Sequence, residues 1–219
     1  MNQIFIHSNR VDTTVPCDLI DNTIFQIWLT VDKSINETTW AKVNSVLWKN
    51  YANKWCYKYI LITDENYGDY IPDKYRDFYE NLRFTFNKID FLKYLLVNEH
   101  SGVYIDLDYK PLDCDFFNLL NNKYIIGGWF DKIKNKQYVS NSVLGARKGE
   151  LTELIEYAIS EYQKKLDIPV YDTWKIRFML QTTGVRMFMR WCKKNNIQRT
   201  ETEKYMIDSE KRSWLKGLG

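Results

Sequence analysis

The sequence predicts a single α/β domain of the kind with a mostly parallel central sheet, flanked by helices and completed by some antiparallel strands. Two observations lead to this expectation. In the first half of the 219-residue chain, apolar strand-like runs alternate with amphipathic helical runs, which is typical of parallel crossover units. In the second half, two strand-like runs are joined by a short lysine-rich turn, which is typical of an antiparallel hairpin.

The first element expected is a strand–helix–strand unit. The runs TIFQIWLT (23–30) and WCYKYILIT (55–63) are rich in β-branched and aromatic residues and each ends in a polar segment, as buried strands do. Between them, INETTWAKVNSVLWKNY (35–51) has apolar residues at helical spacing. This order predicts two parallel strands connected by a right-handed helical crossover.

The remaining elements follow from the same periodicities. An apolar face and a closing Ser-Gly pair indicate a helix, unbroken apolar runs indicate buried strands, and a 3.6-residue period indicates a surface helix. The expected elements are a helix at 87–100 that ends at Ser101-Gly102, a strand at 103–108, strands at 123–130 and 140–147 around the turn DKIKNK (131–136), and a helix at 149–166.

Composition excludes several classes of protein. No repeat, low-complexity tract or linker divides residues 1–219, so we expect a single catalytic domain. Both a separate protein and one domain of a longer protein fit this expectation. The net charge of +3 comes from interleaved basic and acidic residues, which does not favour nucleic acid binding. Cys17, Cys56, Cys114 and Cys192 lack the spacing of a zinc or redox motif. With no signal-peptide pattern and no apolar run of about 20 residues, we expect a soluble cytoplasmic protein without a membrane span.

A carboxylate pair is the strongest chemical signal. In SGVYIDLDYKPL (101–112), Asp106 and Asp108 stand where a buried strand ends. Ligands of open α/β sheets bind beyond such strand ends, and residues one apart on a strand share a face. Two carboxylates there suit Mn²⁺ or Mg²⁺ together with substrate phosphate oxygens. The alternative is a structural pair satisfied by solvent or by Lys110.

A second Asp-x-Asp pair serves as an internal comparison. Asp113 and Asp115 follow Pro111 in a polar turn with no apolar strand leading into it. We therefore expect solvated surface carboxylates or a helix cap at this position.

The segment FNKIDFLKYLLVNEHSGVYIDLDYKPL (86–112) resembles the central motif of DxD-containing glycosyltransferases with the GT-A fold. It is most similar to the family of initiating α-mannosyltransferases and capsular polysaccharide sugar transferases and to the related glucosylating clostridial toxins, a clan with virus-encoded members. Further segments resemble this family in the expected order: FQIWLT (25–30), SVLWKNY (45–51), YVSNSVLGARKGE (138–150), TTGV (182–185) and EKRSW (210–214).

The resemblance implies a metal site and a donor site. Asp106 and Asp108 would hold Mn²⁺ (or Mg²⁺) and the diphosphate, with Asp108 the more direct ligand. The other implied roles are Trp28 for the nucleotide base, Asp90 for the ribose or the donor sugar, Lys93, Tyr104 and Asn141 for the donor pocket, Ser213 and Trp214 for the diphosphate, and Glu210 or Asp208 for the metal shell.

The chain departs from the family pattern at three points. Lys93 stands where the family has an arginine, which keeps the charge but loses the planar fork. The family's Gly-Gly turn before the strand is Ser101-Gly102. The tail lacks the histidine that many GT-A enzymes use as a metal ligand, and His7 and His100 are far from it in sequence, so the third protein ligand is open.

The function that the resemblance implies is metal-dependent transfer of a hexose from a nucleotide-diphosphate sugar to a hydroxyl acceptor on a glycan or glycoprotein, with retention of configuration. A UDP-sugar is the first candidate donor and a GDP-sugar the second. The alternatives are a non-catalytic nucleotide-sugar or glycan-binding module and a haloacid-dehalogenase-type phosphatase. The latter needs Thr or Val where this chain has Lys110.

Overall fold

The computed structural model describes residues 20–30, 35, 38–131, 133–169 and 172–208. Short 3₁₀ turns lie at Tyr67–Tyr70, Phe117–Asn121 and Thr202–Lys204. The strands and helices in chain order are β1 Thr23–Trp28, α1 Thr39–Trp55, β2 Lys58–Thr63, α2 Asp73–Glu80, α3 Thr85–His100, β3 Gly102–Ile105, β4 Tyr109–Pro111, β5 Tyr124–Asp131, β6 Lys136–Ala146, α4 Thr152–Gln163, α5 Asp172–Thr182, α6 Val185–Lys194 and β7 Met206–Asp208.

The central sheet has the strand order β2-β1-β3-β6-β5. β1 pairs in parallel with both β2 and β3, whereas β6 pairs antiparallel with β3 on one side and β5 on the other. Among these strands only β6 therefore runs against the common direction. The expected mostly parallel sheet with some antiparallel pairing is confirmed. β4 and β7 form a separate antiparallel ribbon beyond the carboxyl end of β3.

Helices cover both faces of the sheet because the strand residues alternate between two buried clusters. Phe25 and Tyr104 pack with α3, α4 and α6 on one face, while Ile24 and Val103 pack with α1 on the other. This burial on both sides explains why the central strands read as continuous apolar runs. None of the helices in the described ranges has the length and apolar character to cross a membrane.

The turn into β3 depends on small residues. Ser101 has φ 56° and Gly102 has φ 120°, a region that side chains with a Cβ rarely adopt. A Cβ at Gly102 would lie 2.6 Å from the carbonyl oxygen of Thr23. The absence of that atom lets β3 approach β1 closely enough to pair. The Ser101 hydroxyl also accepts a hydrogen bond from the backbone N–H of Asp21 at 3.0 Å.

A large bulge interrupts the pairing of β5 with β6. Ile126 pairs with Leu144, but the next residue, Gly127, pairs with Ser140, so residues 141–143 of β6 have no partner on β5. A Cβ on Gly128 would lie 2.0 Å from the carbonyl oxygen of Tyr138, so only glycine allows the strands to close at this point. The bulge turns the middle of β6 towards the end of β3.

Helices α2, α5 and α6 and the short strands β4 and β7 are not among the elements expected from the sequence. Of these, α6 buries Phe188 and Trp191 in the cluster that also holds Phe25 and Tyr104. The predicted strand at 103–108 ends at Ile105, and Asp106 begins a turn in which the backbone N–H of Tyr109 bonds the carbonyl of Asp106 at 3.2 Å. The prediction that 1–219 form one domain is not tested by these residues alone.

Candidate active site

Asp106 and Asp108 lie in this turn and not on a strand, because β3 ends at Ile105. The backbone N–H of Asp106 still bonds the carbonyl of Ser142 on β6 at 2.8 Å, which continues the β3–β6 ladder by one residue. Asp108 lies beyond it, next to the first residue of β4. The expectation that both residues stand on one strand is therefore wrong.

Asp106 is bound by groups from inside the protein. Its Oδ1 accepts a hydrogen bond from the Tyr104 hydroxyl at 2.5 Å and lies 3.4 Å from the Lys93 ammonium nitrogen. Lys93 is only 3% exposed, and Tyr104 only 1%. These two buried residues hold the Asp106 carboxylate, and their expected contact with the donor stays a prediction.

The Lys93 ammonium joins Asp106 to a second carboxylate. Its nitrogen lies 3.0 Å from Oδ1 of Asp90, one helical turn earlier on α3. Burial disfavours a charged ammonium, but Asp106 and Asp90 together outweigh burial and raise the pKa of Lys93. Burial raises the pKa of Asp90, against the lowering effect of Lys93. The sequence allowed a weak surface pair here; in the structure the Lys93 side chain is buried and the Asp90 side chain is 17% exposed, so the pair is largely shielded from water.

Asn141 reaches this network from the bulge of β6. Its side-chain amide donates to Asp90 Oδ1 and to the Tyr94 hydroxyl oxygen, each at 2.9 Å. The Tyr94 hydroxyl in turn donates to the carbonyl of Thr183 at 2.7 Å. Two contacts therefore orient the Asn141 side chain, one of them to Asp90, and its expected role in the donor pocket stays a prediction.

The TTGV segment (182–185) closes the network on the α5–α6 side. The side-chain amide of Asn87 donates to the hydroxyls of Thr182 at 3.1 Å and Thr183 at 2.7 Å. A Cβ on Gly184 would lie 3.1 Å from Oδ2 of Asp90, so a glycine gives this carboxylate room. Tyr94 and Asn87 were missed as site residues. Their positions on the same helix as Asp90 are the only signal that could have indicated them.

Asp108 experiences a different environment, which β4 and β7 create. The register of this ribbon places Asp208 directly opposite Tyr109, the neighbour of Asp108. Burial, and then the negative charges of Asp106 and Asp208, raise the pKa of Asp108 to about 7. The antiparallel pairing thus brings Asp208 near Asp108, and a part for Asp208 in a metal shell stays a prediction.

These carboxylates fit a divalent cation in their chemistry. The negative charges around Asp108 repel one another, and a bound cation would remove this unfavourable energy. Mg²⁺ or Mn²⁺ needs only one or two protein carboxylates when substrate phosphates complete its coordination shell. Within the described part of the chain, no three His, Cys, Asp or Glu side chains are grouped closely enough to hold a metal by themselves. Glu210, Ser213 and Trp214 lie outside the described residues.

Trp28 stands at the same edge of the sheet, where β1 ends. It is half-buried, and its indole packs edge-on against Trp40 with ring centroids 5.7 Å apart. The indole N–H is buried and has no hydrogen-bond partner among residues that the structure describes. The adjoining loops after β1 and β2 are tied together, since Thr30 donates through its backbone N–H to Asp64 at 3.0 Å.

The second Asp-x-Asp pair has a structural role, as expected. Oδ1 of Asp115 accepts hydrogen bonds from the Tyr57 hydroxyl at 2.7 Å and from the backbone N–H of Phe117 at 3.0 Å, in the first turn of a 3₁₀ helix. Asp113 is exposed and pairs with Lys54. The two pairs have the same spacing, and what distinguishes Asp106 and Asp108 is the buried strand that leads into them.

Comparisons with known proteins give a fold and a partial sequence match. No protein-family model matches the chain. A 55-residue segment is 40% identical to mannosyl phosphorylinositol ceramide synthase SUR1 of Saccharomyces cerevisiae. The matched segment makes up 24% of this chain and only 14% of that protein. The structure is similar to the PaToxG glycosyltransferase, with a TM-score of 0.53 and 14% identity over 81% of this chain and 70% of that one. The chain therefore has the fold of a glycosyltransferase.

Proposed function

We propose that this chain is a metal-dependent glycosyltransferase that moves a hexose from a nucleotide-diphosphate sugar to a hydroxyl of a glycan or glycoprotein. The observation that carries the proposal is the position of Asp106 and Asp108 just beyond the carboxyl end of β3, with Asp208 on the ribbon strand that pairs with β4. The fold likeness and the partial match to a mannosyl-transferring synthase support it. A UDP-sugar is the donor proposed first, and retention of configuration is part of the proposal by resemblance.

The donor diphosphate would meet the chain at Asp108 and Asp208, which would hold Mn²⁺ or Mg²⁺. A bound cation would neutralise the negative charge that develops on the departing diphosphate. Asp106 is held by Lys93 and Tyr104 at contacts of 3.4 and 2.5 Å, so its direction is set before any ligand binds. Such preorganisation avoids the entropic cost of ordering the carboxylate during the reaction.

The donor sugar and base would be oriented by residues on either side of these carboxylates. Asp90 and Asn141 are locked together by their 2.9 Å hydrogen bond and would present fixed acceptors and donors to sugar hydroxyls. Trp28 would stack on the nucleotide base, and its half-buried position leaves part of the indole accessible. Cytoplasmic location and membership of the virus-encoded branch are proposals on the sequence expectations alone.

Thermal unfolding with UDP-, GDP-, CMP- and dTDP-sugars, each with and without Mn²⁺, tests the proposal. A ligand at 100 times its dissociation constant adds about 2.7 kcal/mol to the free energy of unfolding, which raises the melting temperature visibly. We expect one nucleotide class to stabilise the protein only with Mn²⁺, and D108A to abolish this effect. D113A is the matched control and should keep it.

Two results would separate the proposal from its competitors. Stabilisation by donor without Mn²⁺-dependent release of the nucleotide would indicate a binding module without turnover. No stabilisation by any nucleotide at any Mn²⁺ concentration would contradict the metal-donor site and leave Asp106 and Asp108 as structural carboxylates.

A further inference from the structure

The β5–β6 hairpin carries an exposed aromatic pair at the same edge of the sheet as the candidate site. Trp129 and Tyr138 face each other across the two strands, with ring centroids 5.1 Å apart and ring planes only 12° from parallel. Trp129 remains 49% exposed. Single exposed apolar residues are common on protein surfaces, but a stacked pair presents a wide, flat apolar surface in a defined orientation.

The strand register places the two members of this aromatic pair opposite each other. Gly128 lies against the carbonyl of Tyr138 so closely that a Cβ would come within 2.0 Å of its oxygen. The ladder beyond the bulge then pairs Gly128 with Val139 and Trp129 with Tyr138 in regular register. The two side chains therefore leave the strands side by side, and their rings stack.

β6 leads from the aromatic pair through its bulge to the carboxylates. Tyr138 and Ser140 share a face of the strand, and the Ser140 hydroxyl accepts a hydrogen bond at 3.2 Å from the backbone N–H of Ser142 in the bulge. The Ser142 hydroxyl lies 3.1 Å from the hydroxyl of Tyr109, the residue after Asp108. Four residues of strand span at most about 13 Å, which a short oligosaccharide can bridge.

We propose that Trp129 and Tyr138 form an acceptor subsite that binds a pyranose ring of a glycan whose terminal hydroxyl lies at the carboxylates. The inference rests on the proposed glycosyl transfer and names its acceptor class. The C–H face of a pyranose matches a flat aromatic surface, while polar groups along the strand, such as the hydroxyls of Ser140 and Ser142, are available to its rim. A buried core role does not account for Trp129, because half of its surface faces solvent.

Binding of a panel of immobilised short oligosaccharides, without donor, tests the subsite. We expect the wild-type protein to bind a defined set of glycans and W129A to bind them at least tenfold more weakly, with W129F intermediate. The matched control is F117A. Phe117 is 47% exposed, and its 3₁₀ helix bonds Ile20 ahead of β1, at the opposite edge of the sheet. F117A should bind glycans as the wild type does.

Three outcomes would overturn the subsite. The first is a wild-type protein that binds no glycan, and the second is glycan binding that survives W129A. The third is Trp129-dependent binding to phosphatidylserine vesicles in place of glycans, since aromatic and basic hairpins also bind anionic membranes.

The donor measurement keeps the two proposals apart. Mn²⁺-dependent stabilisation of W129A by nucleotide should equal that of the wild type, because Trp129 lies outside the metal and base sites. Loss of glycan binding with intact donor stabilisation supports the subsite. Donor stabilisation that fails in the wild type while Trp129-dependent glycan binding persists would contradict the glycosyltransferase and leave a glycan-binding surface.

Discussion

Replacing Lys93 by methionine should reveal how strongly the buried charge network depends on one ammonium group. Lys93 lies 3.0 Å from Asp90 and 3.4 Å from Asp106 and is 3% exposed. K93M keeps most of the side-chain volume but leaves two carboxylates without their shared cation. Removal of one partner from a buried ion pair costs about 3–5 kcal/mol, so we expect a loss of this size in the free energy of unfolding at pH 8.

The loss should depend on pH in a defined direction. Burial already raises the folded-state pKa of Asp90 above its ordinary 3.8, and K93M should raise it further. A carboxyl with a raised folded pKa destabilises the fold as pH increases through that value, because the unfolded chain ionises more easily. The difference between wild type and K93M should therefore be small near pH 4 and grow towards pH 8.

Urea unfolding followed by tryptophan fluorescence at pH 4, 6 and 8 measures this difference. K88M is the matched control on the same helix, since Lys88 forms a surface pair with Glu80 at 3.4 Å and should cost less than about 1 kcal/mol at every pH. The double variant D90N/K93M should recover part of the K93M loss. A K93M cost below about 1 kcal/mol at pH 8, or one that does not change with pH, would refute the reasoning.

Three further predictions concern stability. G128A should destabilise the protein by about 3 kcal/mol, because its Cβ would meet the Tyr138 carbonyl oxygen at 2.0 Å, whereas G68A, with nothing within 4 Å, should change the melting temperature little. E161Q should lower the free energy of unfolding in urea by about 1–2 kcal/mol at pH 7. Burial opposes ionisation of Glu161, but nearby cations lower its pKa to about 2. The stability that this carboxylate contributes is therefore present above pH 4.5 and disappears as pH falls through 2. N141A should cost about 1–3 kcal/mol, since it removes donors to two buried oxygens, and an unchanged unfolding midpoint would contradict this.

The layered fold could be anticipated because the signals for it are local. A strand buried on both faces must be apolar throughout, as in TIFQIWLT, and a helix that covers a sheet must repeat its apolar residues every three or four positions. A strand–helix–strand order predicts a right-handed crossover between parallel strands, because the strand twist lets the helix pack back onto the sheet in that sense. The mostly parallel sheet, with an antiparallel hairpin at one side, followed from these patterns.

The candidate site could be located from the sequence, but its internal geometry could not. The apolar run before Asp106 and Asp108 separated this pair from the structural pair at Asp113 and Asp115. Nothing in the spacing indicated that Lys93 would turn inward to Asp106. Its contacts depend on how α3 packs against the end of β3, which involves the whole core.

The class of fold, most of its elements and the strand end that carries Asp106 and Asp108 follow from the sequence, since each depends on patterns within a few residues. The distant groups that approach this strand end depend on the folded chain. Asp208 approaches Asp108 through a ribbon of residues about a hundred positions apart, and a bulge aims Asn141 at Asp90. Charges and pKa values follow burial and neighbours in space, and both exist only once the chain has folded.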